Sequence, residues 1–309
     1  MPHLITNAKK LVSRLKEGVP VRRENSNEEN QDLLRSIRGL NFPVFVSNEM
    51  RVTAWPNKGA SKYKAFVISI PKSGTYLVAE LLTRLGMESV KLHLSLDYVT
   101  DYRFASLKDG RERPELFDVR MKFADALQFI DNGQFAVGHI ECSELTVQLL
   151  RNFRKIFVFR NLRDALVSYM RFLLDTGRGG ELTKKLTELP NGPEKTIRFM
   201  RLAPPMQVLI SDARKQISWL KQEVLPVRFE DFYGDNGKSA QIRIIKDMSS
   251  LLGIEFDGNC DELLQTVIGS RTQTWSGKRS ELTNFWDEKV ESLFDDMGGV
   301  AVNRALGYD

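Results

Sequence analysis

The chain has 309 residues, 42% hydrophobic and 28% charged, a globular composition that argues against disorder and allows one large or two small domains. Lys and Arg number 45 against 40 Asp and Glu, and the resulting +5 is too small an excess to point to nucleic acid. Two cysteines, Cys142 and Cys260, make no disulfide framework and fit a reduced, cytoplasmic setting. With only three histidines, His3, His93 and His139, a zinc site is not expected.

No apolar run approaches the ~20 residues that span a bilayer. Leu4, Ala8, Leu11, Val12 and Leu15 share one face of a predicted basic helix, read as packing on its own domain, with membrane-surface contact the alternative. Residues 17–64 are polar and turn-rich, so residues 1–60 read as an N-terminal extension and 61–309 as the principal domain. Residues 64–70 form the first predicted strand, 76–85 a helix stopped by Gly86, and 88–122 a charged stretch with no clean period. A short strand over 135–139 precedes a helix over 144–153, a strand over 155–159 and a helix over 164–174. Gly177, Gly179, Gly180, Pro190, Pro193, Pro204 and Pro205 mark residues 175–205 as mobile loops around short helices. A helix over 206–222, a strand over 225–229 and a helix over 239–252 follow. Alternating strands and helices predict an α/β fold, a mostly parallel central sheet flanked by helices. Ligands of such sheets sit at the carboxyl ends of the strands, where residues 71–75, 139–140 and 160–163 fall near one crevice.

Two of these turns carry anion chemistry. Pro71, Lys72, Ser73, Gly74 and Thr75 join a buried strand to a helix, so backbone N–H groups and the helix N-terminus form an anion nest, with two hydroxyls and one lysine beside it. The nucleotide-triphosphate loop ends in Gly-Lys-Ser/Thr, whereas here the lysine precedes the glycine. At the end of the 155–159 strand stands Arg160, suited to a bidentate phosphate contact, and Ser168 lies about two turns along the next helix. The alternative for Arg160 and Arg163 is ion pairing with Asp164 or nearby carboxylates.

Together these motifs resemble the soluble sulfotransferases that use 3′-phosphoadenosine-5′-phosphosulfate (PAPS) and release PAP. Lys72, Ser73, Gly74, Thr75 and Tyr76 are similar to that family's 5′-phosphosulfate loop; Arg160, Asn161, Asp164 and Ser168 are similar to its 3′-phosphate motif. The resemblance implies a P-loop-like sulfotransferase fold and sulfuryl transfer to a hydroxyl or amine of a small-molecule acceptor, with no metal. It implies His139 as general base, in the slot about twenty residues before Arg160, with His93 in the irregular 88–122 stretch the internal alternative, and Lys72 as the cation on the bridging oxygen. It implies Phe229 beside the adenine, where a core phenylalanine is the alternative, and Gly277, Lys278 and Arg279 in the loop over the 3′-phosphate. Leu77 stands where many animal members have tryptophan, and the animal-type dimer motif is absent around residues 283–292.

Two other functions are weighed. A nucleoside-triphosphate kinase requires the missing loop and Mg²⁺. A nucleic-acid binder using Arg151, Arg154, Lys155, Arg160 and Arg163 has no need of His139. For the acceptor, residues 88–122 and 175–205 are the expected pocket and lid. Tyr98, Tyr102, Phe104, Phe172, Phe199 and Met200 suit an apolar acceptor, and Asp97, Asp101, Asp175 and Glu181 a cationic one.

Overall fold

Strands covered on both faces are near-continuous apolar runs, and three such runs build the centre of this molecule. The computed structural model describes residues 21–22, 44–46, 51–54, 59–270 and 282–309. The predicted amphipathic face of residues 4–15 and the loop bearing Gly277, Lys278 and Arg279 lie outside them. Within the extension, β1 (Val21–Arg22), β2 (Val44–Val46) and β3 (Arg51–Ala54) make a small antiparallel sheet of order β1-β3-β2.

The central sheet contains β4 (Ala65–Ser69), β5 (Glu88–Leu94), β6 (Tyr98–Asp101), β7 (Asp118–Arg120), β8 (Gln134–Gly138), β9 (Arg154–Phe159) and β10 (Leu225–Arg228) in the order β10-β9-β4-β8-β5-β6-β7. Five strands run parallel, from β10 to β5, and β6 and β7 add an antiparallel margin. The expected mostly parallel α/β sheet is therefore present. The irregular reading of residues 88–122 is corrected: three strands lie there. β5 carries a register break, and β6 and β7 are a short antiparallel edge, so neither produces an apolar run.

The helices are α1 (Thr75–Arg84), α2 (Leu107–Glu112), α3 (Phe123–Ala126), α4 (Glu144–Leu149), α5 (Leu162–Thr176), α6 (Glu181–Thr187), α7 (Pro193–Leu202), α8 (Pro204–Gln216), α9 (Phe229–Tyr233), α10 (Lys238–Leu252), α11 (Cys260–Gly269), α12 (Glu288–Asp296) and α13 (Gly299–Ala305). Strand alternation divides the core in two. Ala65 and Val67 face α1, α10 and α11 through Leu77, Leu81, Ile245, Met248 and Val267. Phe66 and Ile68 face the other layer, where Leu166, Val167, Met170, Phe199, Leu209 and Phe294 come from α5, α7, α8 and α12.

Several boundaries move for local reasons. Asn161 caps α5 by accepting from the Arg163 N–H at 3.0 Å, and Gly177 ends it in a left-handed conformation, so this helix is longer than 164–174. Pro193 opens α7, and Pro204 and Pro205 open α8. Read as loop punctuation in the sequence, these prolines occupy first-turn positions, where a missing N–H costs nothing. Phe199 and Met200, expected in the acceptor pocket, are instead 0% and 2% exposed in the core.

Candidate active site

The parallel order places the carboxyl ends of β10, β9, β4 and β8 side by side, and the predicted turns meet there. The loop after β4 is bound to β9 through the Ile70 N–H and the Val158 carbonyl at 3.0 Å. Lys72 has φ 66° and Gly74 φ 93°, left-handed conformations that turn successive N–H groups to one side. Gly74 is required here twice over. A side chain would strain that φ, and a Cβ would lie 2.6 Å from Phe229. Helix α1 begins without a side-chain cap or an acidic residue in its first turn. The Ser73 Oγ is buried and has no hydrogen-bond partner among the described residues. An uncapped helix start, an orphaned buried hydroxyl and two left-handed residues fit a phosphate or sulfate group.

Arg160 joins this loop through Phe229. Its guanidinium lies 4.3 Å from the ring centroid, on the ring that closes over Gly74, and its Nη2 is 3.4 Å from Asp164 Oδ1. Phe229 is 1% exposed and opens α9, stacked on Tyr233; it does not end the strand as expected. Ser168 stands one turn beyond Asp164 on α5. Arg163 is spent on structure. It makes two bonds to Glu291, at 2.9 and 2.6 Å, and one to the Asp309 carbonyl at 2.7 Å. Glu230, which the motif reading passed over, accepts from the Asn161 N–H at 3.1 Å and from the Tyr308 hydroxyl at 2.6 Å. It thereby ties the turn after β9 to the turn after β10.

A chain of contacts links the loop to His139. Thr75 Oγ1 is 2.7 Å from Ser69 Oγ, which is 3.1 Å from His139 Nδ1; that nitrogen also lies 2.7 Å from the Ser69 carbonyl. A carbonyl only accepts, so Nδ1 carries the proton and Nε2 is left as the basic nitrogen. Burial pulls the imidazole down to about 4, the bond to Ser69 opposing and Lys72 adding to the fall. His139 is therefore neutral at pH 7. Burial, with the guanidinium of Arg160 and then those of Arg111 and Arg178, lowers the Lys72 ammonium to about 7. Its Nζ lies 4.1 Å from the Phe172 ring centroid.

Lys72, Thr75 and His139 open into a cavity of about 350 Å³. Tyr98, Tyr102, Tyr169, Phe172 and Leu209 give it apolar walls, and Glu115, Asp118, Asp212 and Arg178 give it charge. Tyr98, Tyr102 and Phe172 were expected there. Of the carboxylates proposed from sequence, Asp101 is buried in a bidentate pair with Arg103, at 2.7 and 2.8 Å. The acidic groups that do line the space come from positions not singled out. The Tyr76 hydroxyl also faces this side, 2.9 Å from His93 Nδ1. Ser69 was missed because it is a polar residue inside an apolar strand, a pattern with no spacing to mark it, and His93 was considered only as the alternative to His139. Among the described residues, no group of three or more His, Cys, Asp and Glu could hold a metal, and no helix is long and apolar enough to cross a membrane.

A family model described as the sulfotransferase domain matches residues 62–290. A comparison with curated proteins finds no match. Among solved structures, the chain is similar to a mouse sulfotransferase, SULT7A1, complexed with PAP, at 14% identity and TM-score 0.49, over 80% of this chain and 91% of that one. It is also similar to retinol dehydratase in complex with androsterone and inactive cofactor PAP, at 15% identity and TM-score 0.44, over 92% of this chain and 96% of that one.

Proposed function

The chain belongs to the sulfotransferase-domain family, and on that premise we propose that it moves a sulfuryl group from PAPS to a hydroxyl or amine of a small-molecule acceptor. The observation that carries this reading is the contact chain from the phosphate loop through Ser69 to His139, at the mouth of one cavity. PAPS, when bound, supplies the activated sulfuryl group and PAP as leaving group. Residues 61–309 form the catalytic domain in this reading, with 1–60 as its extension.

Each residue then has a task. The N–H groups of the 72–76 turn and the Ser73 hydroxyl hold the 5′-phosphate, and Arg160 with Ser168 holds the 3′-phosphate. Phe229 keeps Arg160 in place from below. Gly277, Lys278 and Arg279 complete the 3′-phosphate subsite. His139 Nε2 takes the acceptor's proton as the acceptor atom bonds to sulfur, and Lys72 Nζ meets the charge that develops on the departing bridging oxygen. Little covalent work falls to the protein in such an in-line transfer, so positioning and electrostatics dominate.

Transfer of labelled sulfate from PAPS across a panel of phenols, alcohols and amines tests the reading. The expected result is turnover in the wild type and none in His139→Ala, with PAP binding retained by the variant. PAP binding lost in a folded His139→Ala protein would contradict the base role.

A further inference from the structure

A second histidine stands against the first. His93 and His139 have ring centroids 4.6 Å apart, with the planes at 66°. Both line the cavity that Lys72 and Thr75 open into. His93 sits on β5, one strand over from the β8 end that carries His139.

The strand is irregular at this point. Ser89 pairs with Phe135, and His93 pairs with Val137, so four residues of β5 are set against two of β8. Regular pairing from Ser89 would place His93 opposite His139, at the tip of the sheet. The break draws it back by two residues, about 7 Å of strand. Lys91, inside the break, has φ 53°, a left-handed conformation that a lysine adopts only under constraint. Bulges re-aim side chains beside active sites, and strained backbone gathers at them. Here the break sets the depth of one imidazole.

The two nitrogens of His93 differ. Nδ1 is 2.9 Å from the Tyr76 hydroxyl, while Nε2 has no hydrogen-bond partner among the described residues. The phenol also hydrogen-bonds Tyr102 and has one proton to give; when it donates into Nδ1, the ring proton of His93 sits on Nε2. Tyr76 is neutral, because burial, and then Tyr102, raise its phenol well above the usual range. His93 is also neutral, held well below its usual value by burial and then by His139. In that tautomer the cavity offers two complementary atoms from adjacent rings: a proton acceptor, Nε2 of His139, and a proton donor, Nε2 of His93.

We propose that His93 is a second acceptor-binding residue, its Nε2–H donating to a lone pair of the nucleophilic oxygen or nitrogen whose own proton faces His139. The hydrogen bond from His93 turns the acceptor so that its X–H points at the base. Tyr76 is the positioning residue, holding the His93 tautomer. This rests on the sulfuryl-transfer reading, but it concerns the acceptor side alone.

The test uses the full chain labelled with ¹⁵N-histidine, whose three histidines give resolvable signals. PAP is added first, then 2-naphthol, a bicyclic phenol that fits the cavity. The expected result is a His93 signal of the Nε2–H tautomer that shifts on adding 2-naphthol. In turnover of 2-naphthol, His93→Phe, which keeps the ring, should raise KM about tenfold. His93→Gln, which keeps an amide donor near Nε2, should recover most of that loss, and PAP affinity should not move in either variant. A bound PAP with no His93 response to 2-naphthol overturns the assignment and leaves the nucleotide reading standing. Failure to bind PAP at all overturns both. An unchanged KM in His93→Phe, or a His93→Gln variant no better than His93→Phe, also counts against it. If His93→Phe does not fold, the wild-type spectrum and His93→Gln decide the matter.

Discussion

In the proposed site, Lys72 should make PAP binding depend on pH in a calculable way. In the free protein its ammonium is lowered to about 7, by burial and by three guanidiniums, so about half of the molecules carry the charge at pH 7. An anion in the loop favours the charged form, so binding returns the group toward its ordinary value and takes up a proton. Only the protonated fraction binds without that cost. The fraction falls from about one half at pH 7 to about one hundredth at pH 9, so affinity should fall roughly fiftyfold, or about 2.3 kcal/mol. Phosphate groups, with a second pKa near 6, go only from about nine-tenths ionised at pH 7 to fully ionised at pH 9, a small effect of opposite sign. His139, lowered to about 4, stays neutral throughout. Calorimetric titrations of PAP in two buffers of different ionisation enthalpy measure both the affinity and the proton uptake. Lys72→Met should bind weakly with no slope, and Lys72→Arg should hold a flat affinity. A flat profile in the wild type, or a slope that persists in Lys72→Met, would refute the reasoning.

Other expectations follow from single contacts. Arg160→Ala should weaken PAP by about 2 kcal/mol, roughly thirtyfold, by calorimetry, with the acceptor KM unchanged. Gly74→Ala should cost about 1–3 kcal/mol of stability in urea unfolding, since it strains a φ of 93° and meets Phe229. Tyr308→Phe removes the 2.6 Å bond to Glu230 and should cost about 1 kcal/mol of stability, with a loss of PAP affinity as Arg160 loosens. The folded His139 value lies below its unfolded one, so protonation favours the unfolded chain as pH falls from 6.5 to 4. The wild type should lose up to about 3 kcal/mol more than His139→Gln across that window, measured by denaturation at each pH.

What could be read from the sequence follows from where the sheet is buried. Residues 65–69, 134–138 and 154–159 are parallel and buried almost throughout, so composition alone marks them. β5 is neither a continuous apolar run nor a clean alternation, because Lys91 and the register break interrupt it. With it went the antiparallel edge that makes one wall of the cavity, and His93 stood only as the alternative to His139. The 71–75 turn and Arg160 could be picked out as candidates, and the fold brings them together, because an anion site needs a fixed spacing along the chain. Ser69, Glu230 and Tyr308 were not, because their partners are distant in sequence. Tyr308 lies 78 positions from Glu230, and only the folded sheet brings them together. Arg163, beside Arg160 in the same motif, has a structural partner 128 positions away in Glu291, which adjacency in sequence does not reveal.

The nucleotide site does not depend on knowing the acceptor, so it offers the most direct test. Calorimetric titration of the wild type and Arg160→Ala with PAP, and separately with ATP and Mg²⁺, compares the two nucleotide chemistries on one protein. The account predicts that PAP binds the wild type, that Arg160→Ala binds it roughly thirtyfold more weakly, and that ATP with Mg²⁺ binds far less well than PAP. Tighter binding of ATP with Mg²⁺, or no binding of PAP by the folded protein, would contradict it.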